Sequence, residues 1–226
     1  MTVPSFQFLL FAVVVAGLFN LAPRVARPGV QLAANLLFLV SFSRDPVAFI
    51  PFAGFLAFGY VAVLMMQKGW RGAFWVLVAA TLVLFFWLKK YTFIPPQVWL
   101  SHPYLTIGLS YVFFRVLHLI IDAHGGDLPE RIPVLDYVNY TLDFTCIVAG
   151  PIQLYQDYKA SAEPLTQFRA GTALERIVLG FFKVFIVAAI LDAFHKQAIA
   201  ALPRATGEGE RLLDGMLVVG LYPLYL

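Results

Sequence analysis

The sequence has few charged residues and almost no cysteine. Charged side chains make up 13% of its 226 residues, whereas a soluble globular domain carries roughly 25%. Hydrophobic residues make up 61%, a proportion that a water-soluble fold of this size would leave largely exposed. Cys146 is the only cysteine, which excludes an internal disulfide and a cysteine-based metal site. The composition therefore predicts a membrane protein.

Clusters of positive charge are also missing. The net charge is +3, and the basic residues stand singly or in pairs between apolar stretches. A nucleic-acid-binding protein gathers them on one face instead, so we expect no nucleic-acid partner. We interpret the basic residues as determinants of membrane orientation. The predicted alternate loops hold eight and six of them, an almost even division that slightly favours an external N-terminus.

Long apolar stretches are abundant. They run for about 18 to 25 residues, the length of a helix that crosses roughly 30 Å of hydrocarbon. Proline, glycine and charged residues separate them. We predict an all-α, polytopic transmembrane helical bundle of about seven to eight spans, forming a single transmembrane domain over residues 1–226. The predicted spans are 5–22, 29–43, 46–67, 71–94, 104–122, 134–150 and 174–202, with an eighth beginning near Leu212.

Two segments differ from these spans. Residues 153–172 mix aromatic and charged side chains, which predicts an amphipathic segment at the membrane interface. The last apolar run, ending at Leu226, has only about 15 residues, whereas a span needs about 20. We therefore expect the chain to be the truncated N-terminal portion of a longer protein.

The fifth predicted span carries ionisable residues at helical spacing. Tyr111, Arg115, His118 and Asp122 fall at positions i, i+4, i+7 and i+11, which places them on one stripe. Charged groups at membrane depth cost several kcal/mol and normally face the interior of a bundle. The stripe is therefore predicted to face protein or water. His118 could act as a general base, but a histidine beside an arginine and an aspartate more often satisfies hydrogen bonds, so we assign no catalytic residue.

The sixth predicted span carries Asp136, Tyr140 and Asp143. Spans five and six are expected to form an antiparallel hairpin, with Arg115 and Asp143 both roughly 10 to 14 Å from its turn. We predict that these two residues are partners. Two interpretations stay open: a structural network that fixes two helices together, or the wall of a substrate cavity.

After the sixth span, Gly150 and Pro151 can turn the backbone at membrane depth. The histidines lack metal-ligand spacing, so we predict no metal site. The candidates for a substrate cavity are Tyr111, Arg115, His118, Asp122, Asp143, Gly150 and Pro151.

Three segments are similar to known motifs. Gly108–Asp122 is similar to a Gly-Ile-Ser-Phe helix that ends in Ile-Asp. Phe144–Ile152 is similar to Phe-x(4)-Ala-Gly-Pro-[Ile/Val], and Gly180–Ala188 to Gly-x-x-Lys-Lys-Val-x-[Ile/Leu]-Ala, with Phe182 in place of the first lysine. In this order they resemble the membrane-bound O-acyltransferases, especially the bacterial polysaccharide O-acetyltransferases and teichoic acid D-alanyltransferases.

The resemblance implies a reaction, partners and a location. Such an enzyme moves an acetyl or D-alanyl group from a thioester donor, either acyl-CoA or an acyl-carrier protein, to a hydroxyl of an extracytoplasmic glycan or polymer. The donor is a co-substrate, and no bound cofactor is expected. The protein would be a multi-pass protein of the inner membrane and would meet its acceptor directly or through other cell-envelope proteins. The family's active-site histidine is expected beyond Leu226, so this polypeptide alone is expected to be inactive.

Two other function classes stay open. A transporter or channel subunit could relay protons or bind an anion through the same arginine, histidine and aspartate residues. Paired broken helices in two related halves, which transporters often have, are not evident in the sequence. A structural membrane subunit without chemistry is the third possibility.

Overall fold

The computed structural model describes residues 5–92, 94–100, 104–128, 131–148, 150, 152–160, 167–201, 215–216 and 218–219. Within these ranges the regular secondary structure is helical, which confirms the all-α prediction. The chain divides into two units, residues 1–164 and 165–226. Their boundary falls inside the segment 153–172, whose interfacial location stays a prediction, as does the single transmembrane domain. The eighth predicted span lies largely outside the described residues.

Among the residues that the structure describes, α1 to α7 belong to the first unit, and α8 and α9 belong to the second. The first-unit helices are α1 Phe6–Leu21, α2 Arg27–Val40, α3 Ile50–Gln67, α4 Phe74–Lys89, α5 Leu109–Gly125, α6 Val134–Thr141 and α7 Tyr155–Ala160. Short 3₁₀ turns lie at Pro46–Phe49, Arg71–Ala73 and Pro96–Val98. In the second unit, a π-helical segment, Lys183–Val187, joins α8 Gln167–Phe182 to α9 Ala188–Ala201.

Local sequence explains several helix ends. Ser5 accepts a backbone N–H with its hydroxyl at the start of α1, and Asp45 does so with its carboxylate before α3. Lys90 ends α4 in the left-handed conformation, with φ of 55°. Gly108 and Gly126 flank α5 with φ of 75° and 87°, values that glycine adopts without steric cost.

Three described helices are long and apolar enough to cross a membrane. They are Pro46–Gln67 with 22 residues, Arg71–Lys89 with 19 and Gly171–Ala200 with 30. α1 is apolar but has only 16 residues. These helices indicate a membrane protein, although the predicted seven to eight spans are not all found as long helices in the described ranges.

Several predicted boundaries are wrong. The fourth span ends at Lys89 rather than near residue 94, because Lys90 leaves the helical conformation. The fifth begins at Leu109 rather than near residue 104. The helix expected at 174–202 starts earlier, at Gln167.

The largest error concerns the sixth span, predicted at residues 134–150. α6 ends at Thr141, and residues 142–148 form turns. Leu142 still donates its N–H to the carbonyl of Val138, but the amides of Phe144 and Thr145 bond to side chains instead. Residues 134–150 are apolar enough for hydropathy to predict one helix. Side chains of α2 and α5 bond to the backbone where that helix ends.

α5 occupies the centre of the first unit, between α3, α4 and α6. Val112, Val116, Leu119 and Ile120 on α5 are fully buried. A Cβ added to Gly59 on α3 would lie 2.6 Å from both the Tyr137 hydroxyl oxygen and a Val116 methyl carbon. The absence of a side chain there lets α3 approach α5 and α6 closely.

Contacts between helix ends define two ends of the first unit. At the proximal end, Leu105 before α5 donates its N–H to Ala48 at the start of α3, 3.0 Å away. At the distal end, Ile132 before α6 donates its N–H to the side chain of Gln67, where α3 finishes. The His124 ring, near the end of α5, stacks 4.1 Å from Phe74, where α4 begins. α3 therefore runs from the proximal to the distal end, and α4 and α5 span the same two ends.

Candidate functional site

The polar stripe of α5 faces other protein groups. Arg115 is 1% exposed. The side chains of His118 and Asp122 are 27% and 18% exposed, with Nε2 of the imidazole 3.6 Å from Oδ1 of the carboxylate. Tyr111 is half-buried. The prediction that these ionisable groups turn away from lipid is consistent with this burial, while their role in a substrate cavity stays a prediction.

Arg115 binds the end of α6. Its Nη1 donates a hydrogen bond to the carbonyl of Tyr140, and its guanidinium lies 5.1 Å from the centre of the Tyr140 ring. The last carbonyls of a helix have no partner within it, and a cation is favourable there. Nε of Arg115 is buried and has no hydrogen-bond partner among the described residues. Arg115 therefore acts as a C-terminal cap supplied by a neighbouring helix.

Asp143 caps the turn that follows α6. Its Oδ1 accepts hydrogen bonds from the Thr145 backbone N–H, at 3.1 Å, and from the Thr145 hydroxyl, at 2.8 Å. Within the described part of the chain, Arg115 and Asp143 form no ion pair. The predicted partnership is therefore wrong as a direct contact. It assumed a continuous sixth helix, whereas the break gives each residue a backbone partner.

Asn35 on α2 completes the arrangement, and the sequence analysis missed it. Its Nδ2 donates to the backbone and side-chain oxygens of Asn139, at 3.4 and 3.3 Å, and its Oδ1 accepts the Phe144 N–H at 3.0 Å. Asn139 in turn donates to the carbonyl of Pro28 at 2.9 Å. An asparagine inside an apolar stretch was the available signal, because a buried amide requires partners.

The break in α6 therefore leaves four backbone groups that side chains satisfy. The carbonyls of Asn139 and Tyr140 receive donors from Asn35 and Arg115. The amides of Phe144 and Thr145 find acceptors on Asn35 and Asp143. Irregular backbone at membrane depth is stable only where protein or water satisfies its polar groups. We call Asn35, Arg115 and Asp143 the capping cluster.

A tyrosine cluster lies beside the capping cluster. The rings of Tyr155 and Tyr158 on α7 each lie 5.4 Å from the Tyr140 ring. Tyr140 donates its hydroxyl to the carbonyl of Gln153, at 2.6 Å, and Tyr158 donates to the side chain of Gln31, at 3.0 Å.

Gly150 closes the turn after α6. Its N–H bonds to the carbonyl of Cys146 at 3.0 Å. A Cβ at this position would lie 2.3 Å from the Cys146 Cα, so no side chain fits. Its predicted partner in turning the chain, Pro151, lies outside the described residues. Gly150 thus shapes the same broken segment that the capping cluster stabilises.

These groups provide hydrogen-bond donors and acceptors, one imidazole–carboxylate pair and one buried guanidinium. In the part of the chain that the structure describes, no three His, Cys, Asp or Glu side chains gather as a metal site would require. The capping cluster accounts for Arg115 and Asp143 as structural residues. Whether the same surface lines a substrate cavity stays a prediction.

Comparison with known proteins identifies two kinds of relative. The chain is 27% identical to the probable alginate O-acetylase AlgI of Pseudomonas putida over 113 residues, which are 48% of this chain and 23% of the relative. It is 28% identical to the teichoic acid D-alanyltransferase of Bacillus subtilis over 125 residues, 53% of this chain and 30% of the relative. The aligned region thus spans less than a third of each relative.

Neither a family model nor a solved structure matches the chain. The resemblance predicted from the three motif segments is confirmed: the curated homologues of this chain are membrane-bound O-acyltransferases.

Proposed function

We propose that this chain acts in a membrane-bound O-acyltransferase that moves an acetyl or D-alanyl group from a thioester to a hydroxyl of an extracytoplasmic glycan or polymer. The donor is an acyl-CoA or an acyl-carrier protein. The protein is a multi-pass protein of the inner membrane, with the thioester used on the cytoplasmic side. It meets its acceptor directly or through other cell-envelope proteins.

One observation carries this proposal: each of the three segments that resemble the family contains a departure from regular helix. Gly108 begins α5 with a positive φ. The second segment covers most of the turns that follow α6. The third contains the π-helical residues Lys183–Val187, and π-helical turns occur frequently at functional sites. Curated relatives of both kinds are named as acyl-transferring enzymes.

Within this proposal the capping cluster has a positioning role. Arg115, Asn35 and Asp143 hold the broken segment after α6 in one shape. The half-buried pair of His118 and Asp122 lies further along α5 and can bind hydroxyl or carbonyl groups of a substrate. We assign no proton-transfer role to either residue.

A gene deletion tests the function without knowledge of the donor. Cells lacking the gene should lose base-labile acyl esters from an envelope glycan or polymer, and a plasmid carrying the natural gene should restore them. The measurement is acetate and D-alanine released by mild alkali from purified envelope fractions. Unchanged ester content in every fraction would contradict the proposal.

A transporter is the second candidate, because a broken helix beside buried charge also occurs in transporter binding sites. The same deletion separates the two. If the protein is a transporter, the deletion should leave the ester content normal and abolish uptake or efflux of a solute. If it is an acyltransferase, the deletion should remove the esters and leave transport unchanged.

A further inference from the structure

α6 is too short to cross a membrane. Its 8 residues extend about 12 Å at 1.5 Å per residue, less than half of a hydrocarbon core of roughly 30 Å. It starts at the distal end, where Ile132 bonds to Gln67. The chain must therefore either continue across in another conformation or turn back.

The chain beyond α6 reaches towards the proximal end. The Phe144 ring lies 6.2 Å from Phe8 and 5.2 Å from Phe11, in the first half of α1. Ile147 lies against Gly108, the residue before α5: a Cβ there would be 2.6 Å from the Ile147 Cγ1 and 2.9 Å from its carbonyl oxygen. Gly108 is at the proximal end because α5 begins there. The turns 142–148 thus penetrate most of the depth of the first unit.

The chain then returns to the distal end. Gln156 on α7 donates its side-chain N–H to the carbonyl of Asp127, just after α5, at 2.8 Å. Lys159 forms an ion pair of 2.7 Å with Asp136, in the first turn of α6. α7 therefore lies at the end from which α6 departs.

We propose that residues 134–160 form a re-entrant hairpin, which enters and leaves the membrane at the distal end and does not cross it. α6 is the inward arm, the turns 142–148 are the tip, and the chain up to α7 is the outward arm.

The interactions at the tip are those that a re-entrant segment requires. A backbone that leaves the helical ladder inside a membrane must find partners in neighbouring protein. The capping cluster supplies four of them: two from Asn35 on α2, one from Arg115 on α5 and one from Asp143 itself. The tyrosine cluster joins the two arms, because the rings of Tyr155 and Tyr158 pack on Tyr140.

The hairpin also decides how the first unit is oriented in the membrane. It places α7, and with it Lys159, at the distal end, where α4 and α6 begin. α2 begins at this distal end too, since Gln31 in its first half bonds to Tyr158 of α7. Cytoplasmic loops carry an excess of lysine and arginine. The described basic residues in the loops and helix ends of the first unit number six at the distal end and three at the proximal end: Arg24, Arg27, Lys68, Arg71, Arg131 and Lys159 against Arg44, Lys89 and Lys90. The distal end is therefore cytoplasmic.

Single-cysteine labelling tests the hairpin. Cys146 is the only native cysteine, so Cys146→Ser provides a cysteine-free background. Asp127→Cys, Asp157→Cys and Arg44→Cys each add one thiol at an exposed position, before the hairpin, after it and at the proximal end. A membrane-impermeant maleimide is applied to intact cells and to inverted membrane vesicles. Labelling after detergent solubilisation, with a single symmetric peak in size-exclusion chromatography, verifies that each variant is folded and reactive.

The hairpin predicts that Asp127→Cys and Asp157→Cys are both labelled in inverted vesicles and both protected in intact cells, while Arg44→Cys shows the opposite pattern. Labelling of Asp157→Cys together with Arg44→Cys, opposite to Asp127→Cys, would overturn the hairpin. Labelling of both distal thiols in intact cells would support the hairpin and overturn the cytoplasmic assignment.

A second measurement does not depend on an intact membrane. In the cysteine-free background, Asp136→Cys combined with Lys159→Cys should form a cross-link with a short bis-maleimide reagent, because the Lys159 Nζ lies 2.7 Å from the Asp136 Oδ2 and the reagent replaces the length of the lysine side chain. Asp136→Cys combined with Arg44→Cys is the control pair and should not form one. Equal cross-linking of both pairs, or of neither, contradicts the hairpin. Both tests read topology alone, so neither depends on acyl transfer.

Discussion

The paired helices α5 and α6 differ sharply from the long helix Gly171–Ala200. α6 breaks after 8 residues and is held by buried polar side chains of α2 and α5. The long helix continues for 30 residues and has no buried residue in its most apolar stretch. An unbroken helix satisfies its own backbone and needs no polar neighbour in lipid. A broken one must be supplied with partners, which explains why buried polar residues gather around α6.

The largest expected effect comes from removing the space that the tip of the hairpin occupies. Gly108→Val places a branched side chain at φ of 75° and against Ile147. Left-handed strain costs roughly 1–2 kcal/mol and overpacking roughly 1–3 kcal/mol, so we expect about 3 kcal/mol of destabilisation. The measurement is the free energy of unfolding in mixed detergent micelles.

Gly126→Val is the matched control for this change. Gly126 has the similar φ of 87°, but nothing lies within 4 Å of an added Cβ. It should show only the strain, about 1–2 kcal/mol. Equal effects at the two glycines would mean that Ile147 does not pack on Gly108, and the position of the tip would then be wrong.

A smaller effect is expected when a cap is removed and the helices are kept. Arg115→Met retains an unbranched side chain but leaves the Tyr140 carbonyl without its donor. A buried acceptor without a partner costs about 1–3 kcal/mol, so thermal unfolding in detergent should begin at a clearly lower temperature. Arg24→Met, at an exposed position, should change stability by less than about 0.5 kcal/mol.

Asp143→Asn sharpens the same comparison. Asparagine retains an oxygen that can accept from Thr145, so the change should cost less than Arg115→Met. The two residues form no ion pair but cap the same broken segment, so a double-mutant cycle should give a coupling energy of only about 0.5–1 kcal/mol, transmitted through the backbone. A larger coupling energy would restore the direct partnership that the sequence predicted.

The smallest effect belongs to the long helix. Lys196 and Asp192 form an exposed ion pair of 2.6 Å, four residues apart on α9. Such pairs contribute about 0.3–0.5 kcal/mol, and the contribution falls with added salt. Lys196→Ala should therefore shift unfolding only slightly. A loss comparable to that of Arg115→Met would show that this helix also depends on polar contacts, and the contrast between the two regions would fail.

The sequence predicted the helices whose backbone hydrogen bonds are made within the helix itself. The apolar runs place α1, α3 and most of α4 and α5 close to their observed positions, because hydrophobic length and prolines determine where such helices form. The inward stripe of α5 was also predictable, since Arg115 and His118 share one helical face. These features depend on local spacing alone.

The break in α6 was not predictable in the same way. Phe144, Cys146 and Ile147 continue the apolar pattern, so hydropathy reads the segment as helix. Asn35 lies more than a hundred residues earlier, and its bonds to Asn139 and Phe144 depend on how α2 packs. Because side chains that are distant in the sequence stabilise the break, the sequence of the broken segment itself gives little sign of it.

The π-helical turn has a consequence for the faces of the long helix. The Ala188 N–H bonds to the Lys183 carbonyl, five residues back, so this turn holds one residue more than usual. One extra residue rotates everything after it by about 100°, since an α-helix holds 3.6 residues per turn. A row of side chains on one face of the helix before Lys183 is therefore continued, after Val187, by a row on a face turned by about 100°. A single lipid tail or neighbour running alongside would meet two unrelated rows, one on each side of the turn.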